Sequence, residues 1–182
     1  MPAQLLRAVK MGQKAVFLDR DGVLDIDKGY LYKAEELVWV PESREAVGWL
    51  CSQGYLVLVA TNQSGVARGM YTEADVHKLH AFMNKELAPY GGRIEHFYYC
   101  PHYKGGLLPR YMKECNCRKP KPGMLLQGMG DYELQPEDCL MIGDSPKDVQ
   151  AAEAAGMDGY LFPGGSLLEF VQGVIQKREC RS

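Results

Sequence analysis

Three carboxylates, Asp19, Asp21 and Asp25, fall within seven consecutive positions of the stretch FLDRDGVLD, directly after a short apolar run. Acids this close repel one another, and gathering several in a partly dry site costs several kcal/mol unless a cation joins them. Oxygen-only donors favour Mg²⁺, which keeps part of its water and binds through one or two carboxylates plus a phosphate. Matching groups occur further along: Thr61 and Asn62 close the run YLVLVATN, Asp144 closes DCLMIGD, and Arg118 and Lys119 open the basic stretch RKPK. A second constellation has different chemistry. Cys100 and His102, then twelve residues, then Cys115 and Cys117 supply three thiolates and an imidazole in two tight pairs. That is the donor set of a closed, structural Zn²⁺ site. Cys51, Cys139 and Cys180 are scattered, and in a cytoplasmic chain the clustering of the others favours metal over cystine.

The elements that must position these groups follow one rhythm, a β-branched or aromatic run, a turn, then a helical pattern. The sequence predicts strands over Lys14–Asp19, Tyr55–Asn62, 93–100, Asp138–Asp144 and 157–162. Helices are predicted from Pro41 to Gly54, from Thr72 to about Ala88, and over 124–130, 146–155 and 166–178. YLVLVATN is apolar without alternation, which marks a strand buried on both faces, and Thr72 with Glu73 and Asp75 makes a capped helix start. Strands alternating with helices define an α/β domain with a mainly parallel sheet. In such sheets ligands bind beyond the carboxyl ends of the strands, where Asp19, Asp21, Thr61, Asn62 and Asp144 all fall. The irregular stretch 100–120 is too long for a routine connection; a metal would offset the entropy of ordering it.

Singly, the pieces have plainer uses. Asp25 or Asp27 reads as a turn residue, Ser145 and Pro146 as a helix start, and Asp148 as either a first-turn acid or a partner behind a metal ligand. Jointly they are harder to dismiss, because a turn needs no matching Thr or Asp on other strands.

DRDGV at 19–23, TNQSG from Thr61, KPKPG from Lys119 and GDSPKD from Gly143 resemble, in order and spacing, the four signature motifs of the haloacid dehalogenase superfamily. The resemblance implies a Rossmannoid three-layer fold and a Mg²⁺-dependent phosphatase working through an aspartyl-phosphate. Asp19 would be the nucleophile, Asp21 the general acid and base, and Thr61 and Lys119 the groups that stabilise the phosphoryl oxygens. Mg²⁺ would be held by Asp19, Asp144 and Asp21, the last through its backbone carbonyl. With the zinc loop at 100–117 and CRKPKPGM, the chain further resembles the heptose-bisphosphate phosphatases of that superfamily. This implies a capless domain acting on C7 of D-glycero-D-manno-heptose 1,7-bisphosphate in heptose biosynthesis. Substrate contacts would come from Asp27, Lys28, Gly29 and Tyr30, from Asn62, Gln63 and Ser64, and from Arg118, whose planar fork suits a second phosphate. The related histidinol-phosphate phosphatases share the motifs but usually have a shorter gap between zinc pairs, so the twelve-residue gap favours the heptose enzymes. Ser145 departs from the pattern, and no ligand role is assigned to it.

A net charge of -2 with 21 basic and 23 acidic residues, and no strongly basic segment, leaves no long-range field for nucleic acid. A zinc-ribbon reader would need a basic, aromatic surface around the metal, and the loop offers only Lys104, Arg110 and Lys113. A response-regulator receiver also carries a phospho-Asp beside Mg²⁺, but it needs neither paired acids of this kind nor a zinc clamp. No apolar run of about 18 residues suggests a membrane span. The expectation is a cytoplasmic, monomeric enzyme, one domain over 1–182, with a small sugar bisphosphate as its partner and an N-terminal extension, residues 1–12, that carries no motif.

Overall fold

The computed structural model describes residues 12–181, so nearly all of the expected N-terminal extension lies outside the described residues. Five strands, β1 (Ala15–Leu18), β2 (Leu56–Asn62), β3 (His96–Cys100), β4 (Cys139–Gly143) and β5 (Asp158–Leu161), form one sheet in the order β3-β2-β1-β4-β5. Every pairing is parallel. β1 is therefore central and needs apolar residues on both faces. Val16 and Leu18 pack with residues of α1 (Ser43–Ser52), α2 (Glu73–Leu87) and α5 (Leu167–Glu179). Ala15 and Phe17 pack with residues of α3 (Gly123–Asp131) and α4 (Pro146–Ala155) on the opposite face. Burying a side chain such as Phe17 contributes about 2–3 kcal/mol, and the two clusters together make the three-layer architecture that the family resemblance implied.

The chain winds outward from β1 to β2 and β3, then returns to the other side of β1 for β4 and β5. Connections on the two sides of β1 therefore lead in opposite directions, which opens a crevice at the carboxyl ends of β1 and β4. Capping follows the sequence closely at α2, where the Thr72 side chain accepts from the Asp75 N–H and the Asp75 side chain accepts from the Thr72 N–H. β3 starts later than predicted. Residues before it are held otherwise: the Asn84 amide of α2 brackets Ile94, donating to its carbonyl and accepting from its N–H, both at 2.8 Å. Between β1 and α1, Ile26 N–H donates to the Val38 carbonyl and Val40 N–H to that of Leu24. This short pairing closes a loop whose tip carries Asp27–Tyr30.

Candidate active site

Asp19 directly follows β1 and Lys119 follows the cysteine-rich loop, yet the Lys119 ammonium lies 3.0 Å from the Asp19 carboxylate and 2.7 Å from that of Asp148 in α4. All three are buried, with relative exposures of 5%, 2% and 0%. A lysine this deep would lose its proton through desolvation, but the two carboxylates hold its pKa above the ordinary value. The same ammonium donates to the Ala60 carbonyl of β2 at 2.7 Å. Asn62, at the end of β2, fixes the Lys119 backbone by a reciprocal pair, donating to its carbonyl (3.1 Å) and accepting from its N–H (3.0 Å). β1, β2, α4 and the basic stretch are thus joined through one side chain.

The carboxylates of Asp19, Asp144 and Asp148 lie within 4.8 Å of one another. Burial raises Asp19 to about 6, with Asp148 and Asp21 adding to the shift and Lys119 opposing it. Burial also raises Asp144, with Asp148 adding. Gly22 is what lets the chain after β1 approach this cluster: its φ is 88°, and a Cβ there would collide with the Asp144 carboxylate. An all-oxygen set of this density, neutralised only in part by Lys119, fits a hard divalent cation.

Asp21 points to a different set of partners. The fully buried Arg20 forks onto its carboxylate at 2.9 and 3.2 Å and also donates to the Leu31 carbonyl and Gln63 Oε1. Gln63 Nε2 donates to Asp21 Oδ2 (2.8 Å) and to Thr61 Oγ1 (2.9 Å), while the Tyr71 hydroxyl donates to Gln63 Oε1 (2.6 Å). Arg20 Nη1 lies 3.3 Å from His80 Nε2. Burial, with the Arg20 charge adding, lowers His80 to about 2, so it is a neutral imidazole and stacks on Phe97 with ring centroids 4.1 Å apart.

A crevice of about 480 Å³ is lined by nine of the residues singled out in the sequence: Asp19, Asp21, Asp27, Gly29, Tyr30, Asn62, Gln63, Ser64 and Asp144. Thr61 and Lys119 lie buried behind that wall. Lys28 turns away, its ammonium 3.3 Å from the Glu36 carbonyl. Arg118 donates to the His102 carbonyl at 3.3 Å and lines a neighbouring depression. Tyr71 and Lys147, which the sequence did not single out, and Ser145, read there only as part of a helix start, also line the crevice; Asp148 stood between two readings, and Arg20 was not singled out. Asp25, read as a turn residue, is instead wholly buried 3.5 Å from Arg20.

The second constellation assembles as its spacing implied. Cys100 Sγ lies 3.0 Å from Cys117 Sγ, 3.5 Å from Cys115 Sγ and 3.7 Å from His102 Nδ1. All four donors lie within 4.8 Å of one another, and none of the cysteines is in a disulfide. Hydrogen bonding from Cys100 lowers the Cys117 thiol to about 5. Close, convergent sulfurs with one thiol already disposed to ionise fit tetrahedral zinc. Tyr103, next to this cluster, carries two guanidinium groups on its ring, those of Arg68 and Arg118.

A parallel sheet with an acidic, lysine-anchored crevice at its switch point defines the class, and known proteins agree. The family model described as HAD-hyrolase-like matches residues 116–169. D-glycero-beta-D-manno-heptose-1,7-bisphosphate 7-phosphatase of Rhodopseudomonas palustris is 44% identical over 161 residues, covering 88% of this chain and 89% of that one. The Campylobacter jejuni D-glycero-alpha-D-manno-heptose-1,7-bisphosphate 7-phosphatase is 43% identical over 141 residues, 78% of this chain and 77% of its own. Among solved structures, D,D-heptose 1,7-bisphosphate phosphatase from B. bronchiseptica, complexed with magnesium and phosphate, superposes with a TM-score of 0.79 at 30% identity, covering 91% of this chain and 99% of that one. The chain belongs to the heptose-1,7-bisphosphate 7-phosphatase family of haloacid dehalogenase-like phosphatases. No helix among the described residues is long and apolar enough to cross a membrane.

Proposed function

We propose that this phosphatase removes the C7 phosphate of D-glycero-D-manno-heptose 1,7-bisphosphate by way of a phosphorylated Asp19. The observation that carries the reading is the buried Asp19–Lys119–Asp148 cluster at the mouth of β1, facing Asp144 across the switch point. A carboxylate attacks phosphorus only when the phosphoryl oxygens are neutralised, and Lys119 holds a positive charge 3.0 Å from the attacking group. Thr61 supplies a hydroxyl to the same oxygens. Asp148 anchors Lys119. Asp19, Asp144 and the Asp21 backbone carbonyl would hold Mg²⁺, which would supply further charge neutralisation at the reacting phosphate. Asp21 gives its proton to the departing C7 oxygen, then takes one from the water that hydrolyses phospho-Asp19. The Arg20 fork and Gln63 hold its carboxylate in place for both transfers. Asp27, Gly29 and Tyr30 on one side, Asn62, Gln63 and Ser64 at the floor, and Arg118 beyond them receive the rest of the sugar bisphosphate. Zn²⁺ on Cys100, His102, Cys115 and Cys117 is structural, fixing the loop that ends at Arg118 and Lys119. The enzyme works as a monomer in the cytoplasm, where reduced thiols remain available as zinc ligands.

Phosphate release from both anomers of heptose 1,7-bisphosphate, with histidinol phosphate and fructose 1,6-bisphosphate as comparators, tests this. The heptose substrate should be turned over with the highest kcat/KM and leave its phosphate on C1. Preference for histidinol phosphate, or release of the C1 phosphate, would contradict the assignment.

A further inference from the structure

The side-chain amide of Gln63 makes four hydrogen bonds. Its Nε2 donates to Asp21 Oδ2 at 2.8 Å and to Thr61 Oγ1 at 2.9 Å, while its Oε1 accepts from the Tyr71 hydroxyl at 2.6 Å and from Arg20 Nη2 at 3.2 Å. One planar group thus touches both an acid of the crevice and the hydroxyl buried behind it. Because Thr61 accepts from Gln63, its own proton is left for another oxygen. Turned over, the amide would set an oxygen against the Asp21 carboxylate and draw the Thr61 proton toward itself. The donors on Oε1 decide between these two states. Arg20 Nη2 is a divided donor, its two hydrogens facing both oxygens of Asp21, the Leu31 carbonyl and Gln63. Tyr71 brings one proton to one acceptor, and burial pushes its pKa up to about 12, so it remains a donor across the working range.

Packing accounts for the ring of Tyr71 but not for its hydroxyl. Thr72 caps α2, so Tyr71 is the residue before the cap, and it shares a buried cluster with Val66 and Val76. An apolar pair flanking a cap in this way fixes the angle at which the chain enters a helix. The ring also stacks on Tyr32, with centroids 5.3 Å apart, and it lies so near Gly65 that a Cβ there would collide with it. Phenylalanine would satisfy all three contacts. The contact with Gln63 is the one that calls for a hydroxyl.

We infer that Tyr71 is a positioning residue: by fixing which way the Gln63 amide faces, its hydroxyl aims both the Asp21 carboxylate and the Thr61 hydroxyl at the reacting phosphate. This rests on the roles proposed above for Asp21 and Thr61. The test is a double-mutant cycle on heptose 1,7-bisphosphate with wild type, Tyr71→Phe, Gln63→Leu and the double variant, reading kcat and KM separately and melting temperature as the check on folding. Tyr71→Phe should lower kcat by roughly 5- to 50-fold, the scale of a hydrogen bond lost from a buried network, with KM within about 3-fold of wild type. In the Gln63→Leu background the same change should cost less than about 2-fold, because a residue that acts through Gln63 has nothing left to orient. A kcat for Tyr71→Phe within about 2-fold of wild type, a change confined to KM, or losses that multiply in the double variant would overturn the inference. Should Gln63→Leu fail to fold, p-nitrophenyl phosphate decides. A nitrophenolate departs without a proton, so the loss in Tyr71→Phe should be smaller there than on the sugar phosphate, and an equal loss would overturn the role. Wild-type enzyme inactive on the heptose bisphosphate would overturn the substrate reading alone, since the same cycle, run on the comparator phosphate it prefers, still judges Tyr71.

Discussion

Two acids two positions apart have been given opposite surroundings. Asp19 meets a buried ammonium at 3.0 Å, whereas Asp21 is gripped by a guanidinium fork and an amide. In the proposed mechanism these are the nucleophile and the proton carrier, set on one short stretch of backbone. Asp25 completes the arrangement from below. Burial, with the Asp21 charge adding and Arg20 opposing, raises it from 3.8 to about 9, so at neutral pH it is a neutral acid. Between those two values the folded chain keeps a proton that the unfolded chain has released. Stability contributed by Asp25 is therefore complete below about pH 4 and is lost as the pH rises toward 9. Asp25→Asn preserves the neutral shape and removes this dependence. Its melting temperature at pH 8 should exceed that of wild type by about 2–5 °C, and the two should converge below pH 4. A variant less stable than wild type at pH 8 would mean that Asp25 is ionised and paired with Arg20.

At the scale of elements, the cysteine-rich loop is the segment whose order the proposed zinc would support. It joins β3 to α3 with only a short 3₁₀ turn of its own at Pro109–Tyr111, and its two ends are tied by the four donors. Cys115→Ser removes one of them, so zinc content and stability should fall together, with a melting temperature lower by about 5–10 °C. Elemental analysis and thermal unfolding read both quantities. Wild-type protein that contains no zinc yet melts normally would remove the structural role of the metal. These elements were legible in the sequence to different degrees. The buried strands were visible because β1, β2 and β4 carry unbroken apolar runs, and the clustering of three cysteines with His102 because thiols in tight pairs have few other uses. The start of β3 was not, since Asn84 reaches from α2 to take up the Ile94 backbone, and no local pattern encodes a bracket ten residues away. Asp25 was misread for a similar reason: an acid near a glycine turn looks solvent-facing until the pairing of residues 24–26 with 38–40 covers it.

Across the whole molecule, chemistry sits where the winding of the sheet reverses. β1 delivers Asp19 and Asp21, β2 delivers Thr61, Asn62 and Gln63, and β4 delivers Asp144, all at carboxyl ends; α4 adds Asp148, and the stretch after the cysteine-rich loop adds Lys119. The motifs that mark these positions could be read in order along the chain. The coupling between them could not, because Lys119 meets Ala60, Asp19 and Asp148 only after the fold forms. The central claim is that this junction transfers a phosphoryl group to Asp19. Asp19→Asn leaves Lys119 paired with Asp148 and keeps the shape of the site while removing the attacking charge. Phosphate release from heptose 1,7-bisphosphate by this variant, with its circular dichroism and melting temperature close to wild type, should fall by at least about three orders of magnitude; turnover near the wild-type rate would contradict the phospho-Asp19 route outright.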